Sequence, residues 1–144
     1  MKELINKLTR YSSAVVVLYP PATEEDIINA QNELGVEFPL NYLELLKHFN
    51  GGELFIPGSV IYGVGKNSYH DLLQENKGNF RKESGLLNNF LIIGETNYGD
   101  WLCVNLVRPQ KIFLWDKENK EFYQDWNDFK CFIQDEINEW EQLG

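Results

Sequence analysis

The feature that most constrains the fold is an amphipathic segment that runs directly into an Asn-Gly-Gly stretch. Its apolar residues recur at intervals of three and four positions, at Tyr42, Leu45, Leu46 and Phe49. This spacing predicts a helix over about Leu40–Phe49 with a single buried face. Asn50-Gly51 follows the last periodic residue, where a left-handed residue commonly closes a helix. We therefore predict a helix stop at Asn50-Gly51 and a turn at Gly52 into a strand.

Helical periodicity predicts three further helices. They cover residues 2–11, the segment from Thr23 to Gly35, and about Asn127–Gln142. Threonine is a residue type that caps helix N-termini, and glycine is one that closes C-termini. For the polar residues 68–83 the prediction is a helix that begins at Ser68.

Apolar or alternating runs predict strands in the rest of the chain. The runs are ELFIPGSVIYGV, FLIIGETN, WLCVNLV, KIFLWD and FYQDW, the first of them interrupted at Pro57-Gly58. No linker, internal repeat or low-complexity segment separates these elements. We therefore expect one domain that spans residues 1–144.

The chain is strongly acidic. It has 13 Lys and Arg residues against 22 Asp and Glu residues, a net charge of −9 with a pI near 4.7. Residues 91–144 hold five basic and eleven acidic side chains, which is most of the excess. Such a charge repels a phosphate backbone, so we expect no direct nucleic-acid binding. A basic protein partner would be attracted instead.

Cellular location is indicated by features that the sequence lacks. The N-terminal stretch MKELINKLTRY has no apolar core of a signal peptide. No apolar run approaches the roughly 18 residues that a membrane-spanning helix needs. The two cysteines, Cys103 and Cys131, lie far apart in the sequence, and we expect both thiols to be reduced, as is usual in the cytoplasm. We therefore expect a cytoplasmic protein with no membrane partner.

Glycine-rich segments do not match a nucleotide-binding loop. The Walker pattern needs two glycines at fixed spacing, then Lys and Ser or Thr, between a strand and a helix. Gly65-Lys66 is followed by Asn67, and Val60 stands where the first glycine belongs. The Asn-Gly-Gly stretch follows a predicted helix, so no helix N-terminus faces a phosphate there. We expect no nucleotide and no other cofactor.

Residue types used in catalysis are present, but not in catalytic patterns. His48 and His70 have no metal-ligand spacing. A cysteine nucleophile needs a base and an oxyanion hole. Cys103 falls within a predicted strand and Cys131 within an amphipathic helix, as small core or boundary residues do. We therefore predict that the chain is not an enzyme and has neither catalytic residues nor a metal site.

Acidic and aromatic residues are interleaved near the end of the predicted strands. Residues 116–128 contain five acidic side chains and two lysines, with Tyr123 and Trp126 among them. A solvated face is the common origin of such a charge run. The alternative is a partner-binding surface, because aromatic side chains flanked by charge form interface hot spots. Trp115 and Trp126 would, on a third interpretation, belong to the core.

The ordered motifs resemble those of the SUKH superfamily, which includes the yeast cell-wall synthesis regulator Smi/Knr and many bacterial immunity proteins. A Thr-capped acidic helix ends in ELG and is followed by FPLNYLELLKHFNGGELF, then IIGETNYGDWLCVNL and a final Phe-led helix. The similarity covers about Pro20 to Trp140. It implies an α+β fold with a mixed, mostly antiparallel sheet and helices packed on it. The matched residues are fold determinants and do not identify the partner-binding face.

The resemblance also implies a function. Bacterial members of this size are typically immunity proteins that bind a polymorphic toxin domain, often a nuclease (RNase or DNase), and block it. The alternative is an intracellular regulatory scaffold related to the cell-wall regulator. Charge and aromatic content place the expected partner surface at Asp100, Asp116, Glu118, Glu121, Tyr123, Asp125 and Trp126. The acidic start of the helix at residues 24–34 is the second choice.

Overall fold

The computed structural model describes residues 1–83, 85–86, 89–107 and 110–143. The helices are α1 Lys2–Leu8, α2 Glu24–Leu34, α3 Leu40–His48, α4 Leu72–Lys77, α5 Asn79–Glu83 and α6 Phe129–Leu143. The strands are β1 Val16–Leu18, β2 Gly52–Leu54, β3 Ser59–Ile61, β4 Phe90–Glu95, β5 Trp101–Asn105, β6 Ile112–Asp116 and β7 Glu121–Trp126. No helix within these ranges is both long enough and apolar enough to cross a membrane.

The strands form one sheet whose spatial order follows the sequence from β1 to β7, and each neighbouring pair is antiparallel. The predicted α+β fold is confirmed. The sheet is more regular than the mixed sheet that the resemblance implied, because most connections between neighbouring strands are short enough for hairpins. The parallel pairing in the described ranges is a single bridge between Gly63 and Asp71.

The core lies against both faces of the sheet. Residues Trp101–Val104 of β5 are completely buried, so side chains that point in both directions from this strand are covered. On one face, Tyr42 of α3 stacks on Phe129 of α6, with ring centres 6.3 Å apart. The helix predicted over about Asn127–Gln142 is observed as α6, and its apolar face is covered: Phe129, Phe132, Ile133 and Ile137 are buried, and Trp140 packs against the core.

Helix α2 has the predicted ends. The Thr23 hydroxyl oxygen accepts a hydrogen bond from the Asp26 N–H at 3.1 Å, and Gly35 closes the helix with φ +67°. Helix α3 ends differently from the prediction. Phe49 follows it with φ −156° and ψ 143°, an extended conformation, so no left-handed residue closes this helix. Gly51 does have a positive φ of +80°, but it forms the turn into β2.

The middle segment differs from the predicted helix that begins at Ser68. The helix begins at Leu72, because Asp71 caps it: an Asp71 carboxylate oxygen accepts from the Leu73 N–H at 3.0 Å. Asn76 of α4 then pairs with the backbone of Ile92, accepting from its N–H at 2.9 Å and donating to its carbonyl at 2.7 Å. The Asn76 side-chain amide thus forms hydrogen bonds with the Ile92 backbone like those of a neighbouring strand, because the pairing of β3 with β4 does not extend to Ile92.

Candidate functional site

Two hairpin turns lie side by side at one end of the sheet. One joins β4 to β5 through residues 96–100, and the other joins β6 to β7 through residues 117–120. Because Trp101 of β5 pairs with Trp115 of β6, both turns project from the same end. We call this region the hairpin-tip surface, and it comprises Tyr98, Asp100, Asp116, Glu118, Glu121 and Tyr123.

The first turn is held by its own hydrogen bonds. The Thr96 N–H donates to the Asp100 carbonyl at 2.9 Å, and the Gly99 N–H donates to the Thr96 carbonyl at 3.0 Å. The Tyr98 N–H donates to the Thr96 hydroxyl oxygen at 3.2 Å. Gly99 has φ +90°, a conformation that glycine adopts without steric cost. The turn thereby presents Tyr98 to solvent with 85% of its surface exposed.

Tyr123 ties the two hairpins together. Its hydroxyl donates to an Asp100 carboxylate oxygen at 2.7 Å. Phe122 and Gln124 pair with consecutive residues of β6, so Tyr123 is an extra residue in a β-bulge. Partial burial, followed by the hydrogen bond to Asp100, raises the pKa of Tyr123, so the hydroxyl remains protonated and donates at neutral pH.

Asp116 organises the second turn. Its carboxylate accepts from the backbone N–H groups of Glu118 and Asn119, at 2.9 and 3.1 Å, and from the Asn119 side-chain amide at 2.8 Å. The Asn119 N–H is the largest cause that lowers the pKa of Asp116. Asp116 therefore contributes negative charge, but its oxygens are occupied by its own turn.

Glu118 and Glu121 are the freer carboxylates of this surface. Both are exposed, and neither forms a salt bridge with another residue in the described part of the chain. Two lysines lie in the same turn. The Lys117 ammonium lies over the Trp101 ring, 4.6 Å from its centre. Four carboxylates against two lysines leave the hairpin tips negative.

Asp125 and Trp126 lie away from the hairpin-tip surface. The Asp125 carboxylate is 3.7 Å from the Lys111 ammonium, beside the start of β6. Trp126 packs edge-on against Phe132 of α6, with ring centres 4.9 Å apart, and its indole N–H donates to Asp135 at 2.7 Å. Trp126 thus joins β7 to α6. Trp115 is buried, as the core interpretation of that residue predicted.

Residues that could carry chemistry are dispersed. His70 stacks on Tyr62 with ring centres 4.4 Å apart, and its Nε2 atom lies 3.8 Å from the Glu75 carboxylate. Burial raises the pKa of the Cys103 thiol. Cys131 is exposed, so the expectation of a core or boundary cysteine is wrong for that residue, which lies outside the apolar stripe of α6. The described residues contain no group of three or more His, Cys, Asp or Glu placed to hold a metal ion.

A second exposed region lies at the opposite end of the sheet. The Asn41 side-chain amide donates to the Gln110 carbonyl at 3.0 Å, which joins the start of α3 to the β5–β6 connection. Leu40 and Val107 are exposed there, by 83% and 74%. We call this region the opposite-end patch, and it comprises Leu40, Leu43, Leu106 and Val107. Its exposed side chains are aliphatic, whereas those of the hairpin-tip surface are acidic and aromatic.

Tyr98 is the residue of the hairpin-tip surface that the sequence prediction did not include. The available signal was its place in NYGD, between two predicted strands, where a hairpin turn exposes its side chains. The count of acidic residues favoured residues 116–128, and from the turn of Tyr98 the prediction included only Asp100.

Comparisons with known proteins agree with this architecture. A sequence model of the SMI1 / KNR4 family (SUKH-1) matches residues 21–135. No curated protein sequence matches the chain. A solved structure, the crystal structure of a protein from Pseudomonas syringae pv. tomato, has a TM-score of 0.69 to this chain at 16% sequence identity. The match covers 94% of this chain and 96% of that one, so the two share the fold.

Proposed function

The chain belongs to the SMI1/KNR4 family (SUKH-1), as its motifs predicted, and from that premise we propose that it is an immunity protein. In this proposal it binds a cognate polymorphic toxin domain and neutralises it by stoichiometric inhibition. The observation that carries the proposal is the hairpin-tip surface, where exposed carboxylates and tyrosines project from two hydrogen-bonded turns. Charge combined with aromatic side chains suits a protein interface.

A basic nuclease domain is the partner that best complements this surface. An RNase or DNase binds phosphate, so cationic side chains line its active site. Carboxylates at the hairpin tips would occupy the positions that substrate phosphates take. The net charge of −9 would also speed encounter toward about 10⁸ M⁻¹s⁻¹ at low salt. Inhibition by occlusion needs no catalytic group on this chain.

The experiment is co-expression with any large open reading frame found next to this gene. Production of the C-terminal domain of the neighbouring protein should stop growth, and this chain should restore growth and co-purify with that domain in a 1:1 complex. A matched control is the folded charge-reversal variant Glu118→Lys/Glu121→Lys, which should restore growth less well because it removes exposed carboxylates from the hairpin-tip surface. Toxicity that persists in the presence of folded chain, with no complex formed, would contradict the proposal. Co-purification with cell-wall or signalling proteins instead would support the regulatory-scaffold alternative.

A further inference from the structure

Tyr98 is an exposed aromatic residue of the type that anchors protein interfaces. It is the most exposed of the large apolar and aromatic side chains in the described ranges, at 85%. A tyrosine can cover a large contact area while it loses few rotatable bonds, which is why tyrosines are frequent among interface hot spots. An isolated folded domain gains nothing from leaving such a ring in water.

The turn that carries Tyr98 is already ordered before any partner binds. Three hydrogen bonds close residues 96–100, and the bond from Tyr123 to Asp100 fixes the turn against the neighbouring hairpin. A group held in place in the free protein loses less conformational entropy on binding than a flexible one. The turn is therefore suited to present the ring.

The surroundings of Tyr98 select the chemistry of the group that contacts it. Asp100 lies two residues away, and Tyr123, which is 48% exposed, contacts the same carboxylate. Glu118 and Glu121 extend the negative charge along the adjacent turn. Aromatic faces and carboxylates both attract guanidinium and ammonium groups. The complementary group is an Arg or Lys side chain.

We propose that Tyr98 is the anchor residue through which this chain grips a cationic side chain of its protein partner. The ring packs against the Arg or Lys side chain of a basic domain, while Asp100 and Tyr123 hold the turn in position. This inference rests on the proposed function, since the basic domain is the toxin. It adds a specific contact residue and separates two roles: Tyr98 slows dissociation, and the carboxylates speed association.

The test compares Tyr98→Ala with Tyr98→Phe and with Leu40→Ala. Leu40 is exposed to nearly the same degree, 83%, but lies in the opposite-end patch. The probe is the purified C-terminal domain of the protein encoded by the neighbouring open reading frame, inactivated by mutation. Binding is measured by calorimetry and surface plasmon resonance. Tyr98→Ala should weaken binding by about 30-fold, mainly through faster dissociation. Tyr98→Phe should stay within about threefold of the wild type, because the ring is retained.

The possible results separate this inference from the proposed function. If the wild-type chain binds and Tyr98→Ala binds equally tightly, Tyr98 is not the anchor, whereas the proposed function stands. If Leu40→Ala weakens binding as much as Tyr98→Ala does, the contact is not specific to the hairpin-tip surface, and the inference fails. A loss with Tyr98→Phe equal to that with Tyr98→Ala would assign the contact to the hydroxyl group and overturn the ring contact. A wild-type chain that does not bind the domain would overturn both proposals.

Discussion

The Asn50-Gly51 junction and the hairpin-tip surface are both turns, yet their surroundings are opposite. Asn50 is 1% exposed, and its side-chain amide forms two hydrogen bonds with the backbone of Val64, at 2.7 and 2.8 Å. A Cβ added at Gly51 would lie 2.6 Å from the Ile61 carbonyl oxygen. A Cβ added at Gly99 in the hairpin tips would meet no atom within 4 Å.

This contrast separates residues that the fold requires from residues that are free to serve a partner. At the junction, the neighbouring backbone determines which residues fit. It forms hydrogen bonds with the Asn50 side chain, and it leaves no room for a side chain at Gly51. At the tips, backbone hydrogen bonds define the turns, and most of the side chains project into solvent. The family motif therefore coincides with the junction, whereas the expected interface lies elsewhere.

The largest expected effect is at the junction. Gly51→Ala should lower the free energy of unfolding by about 4 kcal/mol, since the positive φ and the close backbone contacts both oppose a side chain. Gly99→Ala is the matched control, because it has the same strained φ without the contacts. It should cost only about 1–2 kcal/mol. Chemical denaturation measures both variants, and equal losses would contradict the contrast between junction and tips.

A second comparison uses the same substitution in both regions. Asn50→Ala should cost about 3 kcal/mol, because it leaves the buried N–H and carbonyl groups of Val64 without partners. Asn119→Ala removes one exposed hydrogen bond to Asp116 in the hairpin tips and should cost less than about 0.5 kcal/mol. Urea unfolding at neutral pH measures both. A mild loss with Asn50→Ala would mean that the junction tolerates unpaired backbone groups.

The smallest expected effect is a change in melting temperature caused by Glu136, a carboxylate outside the hairpin-tip surface. Glu136 of α6 accepts from the Ser59 hydroxyl at 2.8 Å. Burial raises the pKa of Glu136 despite that bond, and the charges of Glu139 and Asp135 add to the rise. A raised pKa in the folded state favours the protonated form, so this contribution to stability is present at low pH and is lost as the pH rises through the folded pKa.

Glu136→Gln should therefore raise the melting temperature at pH 7, by no more than about 3 °C. The gain should shrink as the pH falls through the raised pKa of folded Glu136 and should be absent below the ordinary glutamate pKa of about 4.3. Glu118→Gln, at an exposed position in the hairpin tips, should leave the melting temperature within about 1 °C at either pH. Calorimetric scans between pH 4 and pH 8 would provide the comparison. A gain for Glu136→Gln that is independent of pH would show that ionisation is not its cause.

Much of the fold could be predicted because helices and strands have a local period. Apolar residues recur at intervals of three and four positions from Tyr42 to Phe49 and from Phe129 to Ile137. This spacing predicts a buried face, and these apolar residues are buried. The end of α3 could not be predicted in the same way. Contacts distant in sequence accompany this end: the Asn50 N–H donates to the Tyr19 carbonyl at 3.2 Å, and the Asn50 side chain is held by Val64. Asp71, and not Ser68, caps α4, although both residue types cap helices and the sequence offered both.

The candidate surface was only partly accessible to sequence reasoning. Composition identified the acidic and aromatic segment, but it did not reveal which carboxylates are occupied. Asp116 serves its own turn, and Trp126 packs on α6, both through contacts that charge counting does not register. The bulge at Tyr123 also breaks the alternation that sequence patterns assume. Strand register brings the turn of Tyr98 beside the turn of Glu118, and no local pattern encodes that register.

The most direct test of the central claim, that the hairpin-tip surface receives the basic partner, is the salt dependence of the association rate. Glu118→Lys/Glu121→Lys reverses two exposed charges and spares Asp116, which the turn needs. Glu24→Lys/Glu25→Lys makes the same net change at the start of α2, the second-choice surface. Stopped-flow measurements with the toxin domain proposed as the partner should show association slowed by at least about tenfold, with a flatter salt dependence, for the tip variant. The α2 variant should lose no more than about threefold. Equal slowing by both variants, or a larger effect at α2, would contradict the claim.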